Sequence, residues 1–404
     1  MTFRFVRTQT GANLTYLYIY NFVNIQKKQA MKLKFTLLII IFFSLGTVAQ
    51  VPGWILLNSG TTIDLIGIKA VDNNTAFVCG ASGLILKTTD GGMNWILQNS
   101  GTTKSLYSIN FTSATDGIAV GDSGTFLRTI DGGVSWTGLS VNNIISFRNV
   151  YFFDNNIGYV TGAIAGVSGH VFKTTDGGAT WDSLNINSGS GMYGLTFTSV
   201  NDGFCSNFLG GIFTTNDGGV NWTPVPSGVS SVISDICFTT PATGFAIGAN
   251  GVLIQTINSG ASWTPMSSGV SDWLSGLDYK NGTDGFITGG NVPANTGVIL
   301  QSTNGGASWT TYPSSTPRLL GVDFADSTGY TVGLDGTIMK HTGSVGFYEN
   351  NSENEISIYP NPVSDILTLS SQIFQSADTD ISICDDKGAL VFQQCFNSTG
   401  KLIR

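Results

Sequence analysis

The chain has 404 residues, of which 41% are hydrophobic and only 11% are charged, and it contains 52 glycines. This composition excludes an intrinsically disordered protein, and glycines without a Gly-X-Y period indicate a fold rich in tight turns. The first 49 residues hold six Lys/Arg and no acidic residue, so the rest of the chain has 12 basic and 26 acidic residues and is a poor candidate for binding nucleic acid.

The first predicted element is a secretory signal at residues 31–49. Two lysines precede an apolar run at residues 35–45, and Thr47-Val48-Ala49 provides a small-residue cleavage site at its end. The run is about half of the roughly 20 apolar residues that span a bilayer, so we expect cleavage and no membrane span in the mature chain. Residues 1–30 are then an extension upstream of the expected start, Met31.

Residues 50–343 carry a repeat that is marked by tryptophan. Seven tryptophans are separated by 41, 41, 45, 41, 41 and 46 residues: Trp54, Trp95, Trp136, Trp181, Trp222, Trp263 and Trp309. The two long gaps have one cause, because residues 162–169 and 289–297 form segments four and five residues longer than their counterpart at 121–124. A strict period with variation confined to one loop is typical of a β-propeller.

Each tryptophan from the second onward follows the same polar turn, in which Asp or Asn precedes small residues. The turn residues are Asp90, Asp131, Asp176, Asp217, Asn258 and Asn304. A side-chain oxygen at this position accepts hydrogen bonds from main-chain N–H groups of its own turn, and glycine adopts the positive φ that the turn needs. We therefore interpret the six turns as structural, and we expect each tryptophan to pack into its blade.

Within each unit, short runs rich in β-branched and aromatic residues predict four strands. The inner strand of the second unit, for example, is predicted at residues 106–111. A seventh unit at 310–343 lacks its fourth strand, which residues 53–57 can supply. Sharing this blade between both ends closes the ring, so the sequence predicts an all-β, seven-bladed β-propeller over residues 50–343.

The units resemble the BNR/Asp-box repeat, in particular the propeller of the photosystem II assembly factors and their non-photosynthetic relatives. The motifs that carry the resemblance are GxxVG and GxIxxTxDGGxxW, repeated over residues 54–343. The resemblance implies the fold and leaves function open, because Asp boxes also occur in sialidases, xyloglucanases and sortilin-type receptors.

The tail resembles the type A sorting domain of the Bacteroidetes type IX secretion system. Residues 358–362 (IYPNP) and 367–369 match its opening, and residues 386–391 match its middle hairpin. We expect a linker at 344–354 and an incomplete, small β-sandwich-like sorting domain at 355–404, since the later Gly-x-Tyr strand and Lys-rich end are abbreviated. The resemblance implies a protein that binds the type IX secretion machinery through this tail and is secreted or held on the outer-membrane surface of a Gram-negative bacterium.

The charged residues do not form a familiar glycosidase site. Residues 50–343 contain no glutamate and only three arginines, which excludes a sialidase-like site. A glycan hydrolase that uses aspartates stays open through Asp235, Asp278 and Asp323 on predicted inner strands. The plainer interpretation is that these three aspartates are the polar lining of a water-filled channel.

Neither a metal ion nor a cofactor is expected. The two histidines, His170 and His341, fall in third strands of distant units. Each polar turn offers one carboxylate, whereas calcium takes about six to eight oxygen ligands. Three cysteines are interpreted as small buried hydrophobes: Cys79, Cys205 and Cys237. A disulfide between Cys384 and Cys395 stays open.

The remaining function is binding, on the face that carries the loops into the inner strands and the two long loops. Five side chains that break the repeat cluster there: Tyr107, Arg148, Tyr193, Trp273 and Arg318. Aromatic residues and arginine are favoured at protein contacts, and aromatics suit sugar faces, although Trp273 and the tyrosines could instead fill gaps between blades. The leading hypothesis is a monomeric, secreted, non-enzymatic propeller that binds a protein or glycan partner. The alternatives are the hydrolase and, by family analogy alone, an assembly factor for a membrane complex.

Overall fold

The computed structural model describes residues 51–343, except 140, 142–144, 165–167, 185 and 187, together with the backbone of six strands outside that range. The chain divides into two compact units, Ala49–Gly343 and a second unit that combines Met1–Val48 with Ser344–Arg404. The expected signal, the expected linker and most of the expected sorting domain lie outside the described residues.

The Ala49–Gly343 unit consists of seven four-stranded antiparallel sheets, the blades. In blades 1 to 6 the strands follow chain order from the inner strand to the outer strand. Their bounds are Leu65–Ala70, Ala76–Gly80, Ile85–Thr88 and Ile96–Gln98 in blade 1; Leu106–Phe111, Gly117–Gly121, Phe126–Thr129 and Thr137–Gly138 in blade 2; Ser146–Phe152, Gly158–Ile164, Ser168–Thr174 and Asp182–Leu184 in blade 3; Met192–Phe197, Gly203–Asn207, Ile212–Thr215 and Thr223–Val225 in blade 4; Ile233–Phe238, Gly244–Gly248, Leu253–Thr256 and Thr264–Pro265 in blade 5; Trp273–Tyr279, Gly285–Asn291, Thr296–Ser302 and Thr310–Pro313 in blade 6. Blade 7 contains Leu319–Ala325, Thr328–Gly333, Ile338–His341 and, as its outer strand, Trp54–Leu57.

The ring is closed by the first strand of this unit. Trp54–Leu57 pairs antiparallel with Ile338–His341, so that Trp54 lies opposite His341. The Trp54 side chain is fully buried. Its ring centroid lies 5.2–6.0 Å from the centroids of three other rings: Phe286, Phe324 and His341. The predicted seven-bladed propeller with terminal-strand closure is confirmed.

Within the described part of the propeller, the hydrophobic core forms seven clusters, and each cluster combines residues of two neighbouring blades. Between blades 1 and 2, Phe77 stacks on Phe111 with 3.9 Å between ring centroids, and Trp136 packs against the same cluster. Burying one such aromatic side chain contributes about 1.5–3 kcal/mol. The tryptophans of the turns therefore pack at the interface with the preceding blade and not only within their own blade, because the turn reaches back over that neighbour.

The polar turns are closed by their own hydrogen bonds. In blade 1, Asp90 Oδ1 accepts from the Asn94 N–H and from the Thr88 hydroxyl, both at 2.9 Å, and Thr88 Oγ1 accepts from the Gly92 N–H at 2.9 Å. Gly92 has φ +86°, and a Cβ there would clash with neighbouring side chains. Hydrogen bonds from the Asn94 side chain and amide lower the pKa of Asp90 to about 2. Asn258 Oδ1 accepts the equivalent N–H at 3.0 Å, so asparagine replaces aspartate in this turn.

The additional residues of blades 3 and 6 lengthen strands. The second and third strands of blade 3 pair as far as Ile164 and Ser168, and those of blade 6 pair as far as Asn291 and Thr296. Four other blades make this connection with a short 3-10 turn: Ala81–Gly83, Asp122–Gly124, Ala249–Gly251 and Leu334–Gly336. The two long loops predicted from the sequence are thus extended hairpins, because the inserted residues continue the main-chain ladder.

The second unit contains a hairpin of Arg4–Thr10 with Asn13–Ile19 and one four-stranded sheet. The strands of this sheet are Glu355–Ser357, Thr379–Cys384, Leu390–Phe396 and Leu402–Ile403. Cys384 lies opposite Leu390, and Cys395 lies opposite Asp380, so the two cysteines are not cross-strand neighbours in this register. None of the described segments is a helix long and apolar enough to cross a membrane.

Candidate functional site

The inner strands of all seven blades line one cavity of about 800 Å³. Every inner strand carries a bulge near its second residue; in blade 3 the pairing skips from Phe147 to Asn149. A bulge interrupts the alternation of side chains along a strand. Consecutive residues such as Arg148 and Asn149 therefore both line the cavity.

The structure brings all five predicted binding residues to this cavity. They are Tyr107, Arg148, Tyr193, Trp273 and Arg318, and each of them is half-buried. Trp273 is the first residue of its inner strand. The five side chains belong to blades 2, 3, 4, 6 and 7, so they share one cavity although they are distant in sequence.

Arg148 lies between two tyrosines. Its Cζ atom is 4.1 Å from the ring centroid of Tyr107 and 5.9 Å from that of Tyr193. The Tyr107 hydroxyl donates to Asp122 Oδ2 at 2.7 Å, and the Tyr193 ring packs edge-on against Phe208 at 4.4 Å. Burial and the hydrogen bond to Asp122 raise the pKa of Tyr107, so the hydroxyl stays a donor. Cation–π contacts of about 0.5–2 kcal/mol thus orient the guanidinium within the cavity wall.

The other two predicted residues lie on blades 6 and 7. Trp273 Nε1 donates to Ser234 Oγ at 2.8 Å, which fixes the indole ring. The main-chain N–H of Arg318 donates to Asn295 Oδ1 at 3.2 Å, in the extended hairpin of blade 6. The Nε atoms of Arg148 and Arg318 are shielded from water, and neither has a hydrogen-bond partner among the described residues. An unsatisfied buried donor costs about 1–3 kcal/mol, and because these Nε atoms are shielded they are not themselves open to a ligand.

A second ring of side chains occupies one equivalent position of the inner strands, four residues after the first buried apolar residue of each strand. It consists of Lys69, Asn110, Tyr151, Thr196, Cys237, Asp278 and Asp323. Lys69 and Asn110 are not among the residues predicted from the sequence, and their shared position in the repeat is the signal that could have found them. Cys237 is half-buried: it lines the cavity and also packs against the core cluster of blades 5 and 6, so it is only partly the buried hydrophobe expected. Cys79 and Cys205 are buried in blade cores.

Three carboxylates connect neighbouring inner strands. Each accepts a main-chain N–H of the next blade: Asp235 from Leu277 at 3.0 Å, Asp278 from Phe324 at 2.7 Å and Asp323 from Ala70 at 2.7 Å. Lys69 Nζ also lies 3.0 Å from Asp323 Oδ1, and the two side chains are 27% and 19% exposed. Asp323 raises the pKa of Lys69. These carboxylates link blades 5, 6, 7 and 1, across the point at which the ring closes.

The protonation of these carboxyl groups differs from that of ordinary aspartates. Burial raises the pKa of Asp235 to about 7, and burial together with the neighbouring Asp323 raises the pKa of Asp278 to about 7. Such values suit a general acid at neutral pH. However, both oxygens of Asp235 accept main-chain N–H groups, from Ile236 at 2.9 Å and from Leu277. A structural role of these groups explains the same geometry without catalysis.

These features define the chain as an Asp-box β-propeller with a lined central cavity. Residues 94–227 and 220–323 match the family model described as Photosynthesis system II assembly factor YCF48. Since these segments cover more than half of the chain, the protein belongs to this family. Residues 357–403 match the secretion system C-terminal sorting domain, which gives the protein an extracellular or cell-surface location.

Solved structures share the fold at low sequence identity. A structure titled YCF48 bound to D1 peptide is 20% identical, with a TM-score of 0.60, and covers 73% of this chain and 99% of that chain. YCF48 from Cyanidioschyzon merolae is 19% identical, with a TM-score of 0.58, 72% of this chain and 98% of that chain being covered. An ancestral GH74 enzyme is 13% identical, with a TM-score of 0.56 over 71% of this chain and 46% of that chain. These likenesses show the fold alone, and no curated protein matches the chain.

Proposed function

We propose that the protein is a non-enzymatic binding propeller that leaves the cell through the type IX secretion system and holds an extracellular protein or glycan partner at the central cavity. The proposal rests on one observation: the five side chains that break the repeat converge on a single cavity. Its volume of about 800 Å³ falls within the range of about 300–1,000 Å³ that is usual for ligand sites. The place of action is the outer-membrane surface or the medium.

The chemistry of the cavity supports binding. Fixed aromatic and arginine side chains contribute most of the affinity in many interfaces, because they offer large contact areas and directed hydrogen bonds at a low entropy cost. Arg148 and Trp273 are both fixed in this way, by Tyr107 and Ser234 respectively. Pre-ordered groups lose little freedom when a partner arrives.

A glycan hydrolase is the second candidate, and the raised pKa values of Asp235 and Asp278 favour it. If the cavity hydrolyses glycans, Asp235→Asn or Asp278→Asn will abolish turnover of a plant and host glycan panel. We expect no turnover by the unmodified protein, because the carboxylates bind the main chain of neighbouring blades. A third candidate, assembly of a membrane complex, is supported by the family membership alone.

Partner capture tests the binding proposal. The full-length protein is used as bait for native membranes and medium, in parallel with a triple variant that combines Arg148→Gln, Trp273→Ala and Arg318→Gln. Arg128→Gln is the matched control, since Arg128 lies on a third strand and its guanidinium is 4.0 Å from Asp116. We expect a partner that the unmodified bait and the control retain and the triple variant loses, at an unchanged unfolding temperature. Equal capture by the triple variant would refute the site.

A further inference from the structure

We infer that the ligand of the central cavity is a short acidic saccharide with at most one carboxylate per sugar, and that Arg148 binds one of these carboxylates. The inference rests on the proposed binding function and specifies its ligand.

Arg148 has the geometry of an anion-binding arginine. Its guanidinium lies against the Tyr107 ring at 4.1 Å, and the Tyr107 hydroxyl is itself tied to Asp122. The side chain is half-buried and lines the cavity, and no ion pair of Arg148 occurs among the described residues. A carboxylate that approaches the edge of the guanidinium plane accepts two parallel hydrogen bonds, which are stronger than neutral ones. The Tyr107 ring covers one face of the guanidinium and Nε is shielded, so the terminal N–H groups are the part left for a ligand.

The remaining walls fit a hydroxyl-rich ligand. The inner strands of blades 5 and 6 present Ser234, Ser275 and Asp278 to the cavity. Carboxylates accept hydrogen bonds and hydroxyls both donate and accept, so this wall can pair with the closely spaced hydroxyl groups of a saccharide, which also donate and accept. Trp273 is half-buried and lines the same wall. An indole face of this kind packs against the apolar face of a sugar ring.

The charge of the propeller limits the ligand to few carboxylates. Residues 51–343 contain 18 aspartates and no glutamate against nine lysines and arginines. A dense polyanion would be repelled by this excess of negative charge. A single carboxylate next to Arg148 gains a short-range, charge-assisted pair of hydrogen bonds, while the neutral part of the sugar meets the other walls. The structure therefore favours a short acidic saccharide over nucleic acid or a strongly sulfated chain.

Titration calorimetry of the full-length protein tests the inference with three probes of similar size: trigalacturonate, a neutral galactose trisaccharide and an acidic tripeptide. We expect trigalacturonate to bind at least tenfold more tightly than either of the other two. Arg148→Gln should weaken trigalacturonate binding by at least tenfold, and Arg148→Lys should give an intermediate loss, because the charge stays while the paired donors are lost. Arg128→Gln should bind like the unmodified protein.

The outcomes separate the inference from the proposed function. Three results would overturn the acidic-saccharide inference and leave the cavity as a binding site. They are equal binding of the neutral trisaccharide, tighter binding of the tripeptide, and trigalacturonate binding that Arg148→Gln leaves unchanged. No binding of any probe, while the triple variant still loses partner capture, would also overturn the inference alone. A protein whose partner capture is independent of the cavity would overturn both. Unfolding temperatures of the Arg148 variants show that each one is folded.

Discussion

Trp54→Ala tests how much the terminal strand stabilises the ring. The side chain is fully buried, and its ring contacts Phe286, Phe324 and His341 between blades 6 and 7. Truncating a buried tryptophan to alanine costs about 3–5 kcal/mol, because packing is lost and a cavity remains. Total stabilities of domains are about 5–15 kcal/mol, so the loss is a large fraction of the free energy of unfolding. With about 2–4 °C per kcal/mol for a domain of this size class, the unfolding temperature should fall by roughly 6–20 °C.

The assay is denaturant and thermal unfolding of the full-length protein, followed by circular dichroism. Leu56→Ala is the matched control: Leu56 belongs to the same strand, but its side chain is 64% exposed, so its truncation removes little buried area. We expect a change below about 1 kcal/mol for this control. If Trp54→Ala and Leu56→Ala destabilise the protein equally, the buried packing of Trp54 between blades 6 and 7 does not stabilise the closed ring.

Two further changes probe the turns and the cavity. Gly133→Ala should destabilise the protein by about 1–2 kcal/mol or more in a denaturant titration, because Gly133 has φ +83° and a Cβ would lie 2.8 Å from Phe77 Cε1. Gly138→Ala is the control and should be neutral, since a Cβ at Gly138 would have no atom within 4 Å. Equal effects of the two substitutions would contradict the turn geometry. Burial raises the pKa of Asp235 to about 7, so the native state binds the carboxyl proton of Asp235 more tightly than the unfolded chain does. The free energy of unfolding that this protonation contributes is therefore lost as pH rises from about 4 to 7. Asp235→Asn should therefore make the denaturation midpoint less dependent on pH in that window, and an unchanged slope would argue against the raised pKa.

The fold could be predicted from the sequence because six of the seven blades contain the same local turn. Asp90 and its counterparts satisfy their hydrogen bonds within a few residues, so the pattern of the turn is readable without knowledge of the neighbours. The closure could be predicted because one unit lacks a strand and residues 53–57 supply it. The packing of each Trp against the preceding blade could not, since that contact depends on how two blades meet.

The convergence of the five binding residues could be expected from their positions in the repeat, but the contacts between them could not. The bulge in each inner strand turns consecutive residues such as Arg148 and Asn149 to the same side, and the alternation typical of strands gives no hint of this. The bond from Asp235 to Leu277 joins residues 42 positions apart in different blades. Asp235 and Asp278 also occupy different positions in their strands, so their common role follows from the tertiary structure.

The central claim, a ring closed through residues 54–57, is tested most directly by a designed disulfide. Ile55 lies opposite Lys340 in the closing pair, and Cα atoms of opposite residues in antiparallel strands are about 4.5–5.5 Å apart, which suits a disulfide. The full-length protein with Ile55→Cys and Lys340→Cys should form this bond under mild oxidation, and peptide mapping by mass spectrometry identifies it. The shifted pair Leu57→Cys and Lys340→Cys should form little. Failure of the first pair in a folded protein, or equal oxidation of both pairs, would contradict the closed ring.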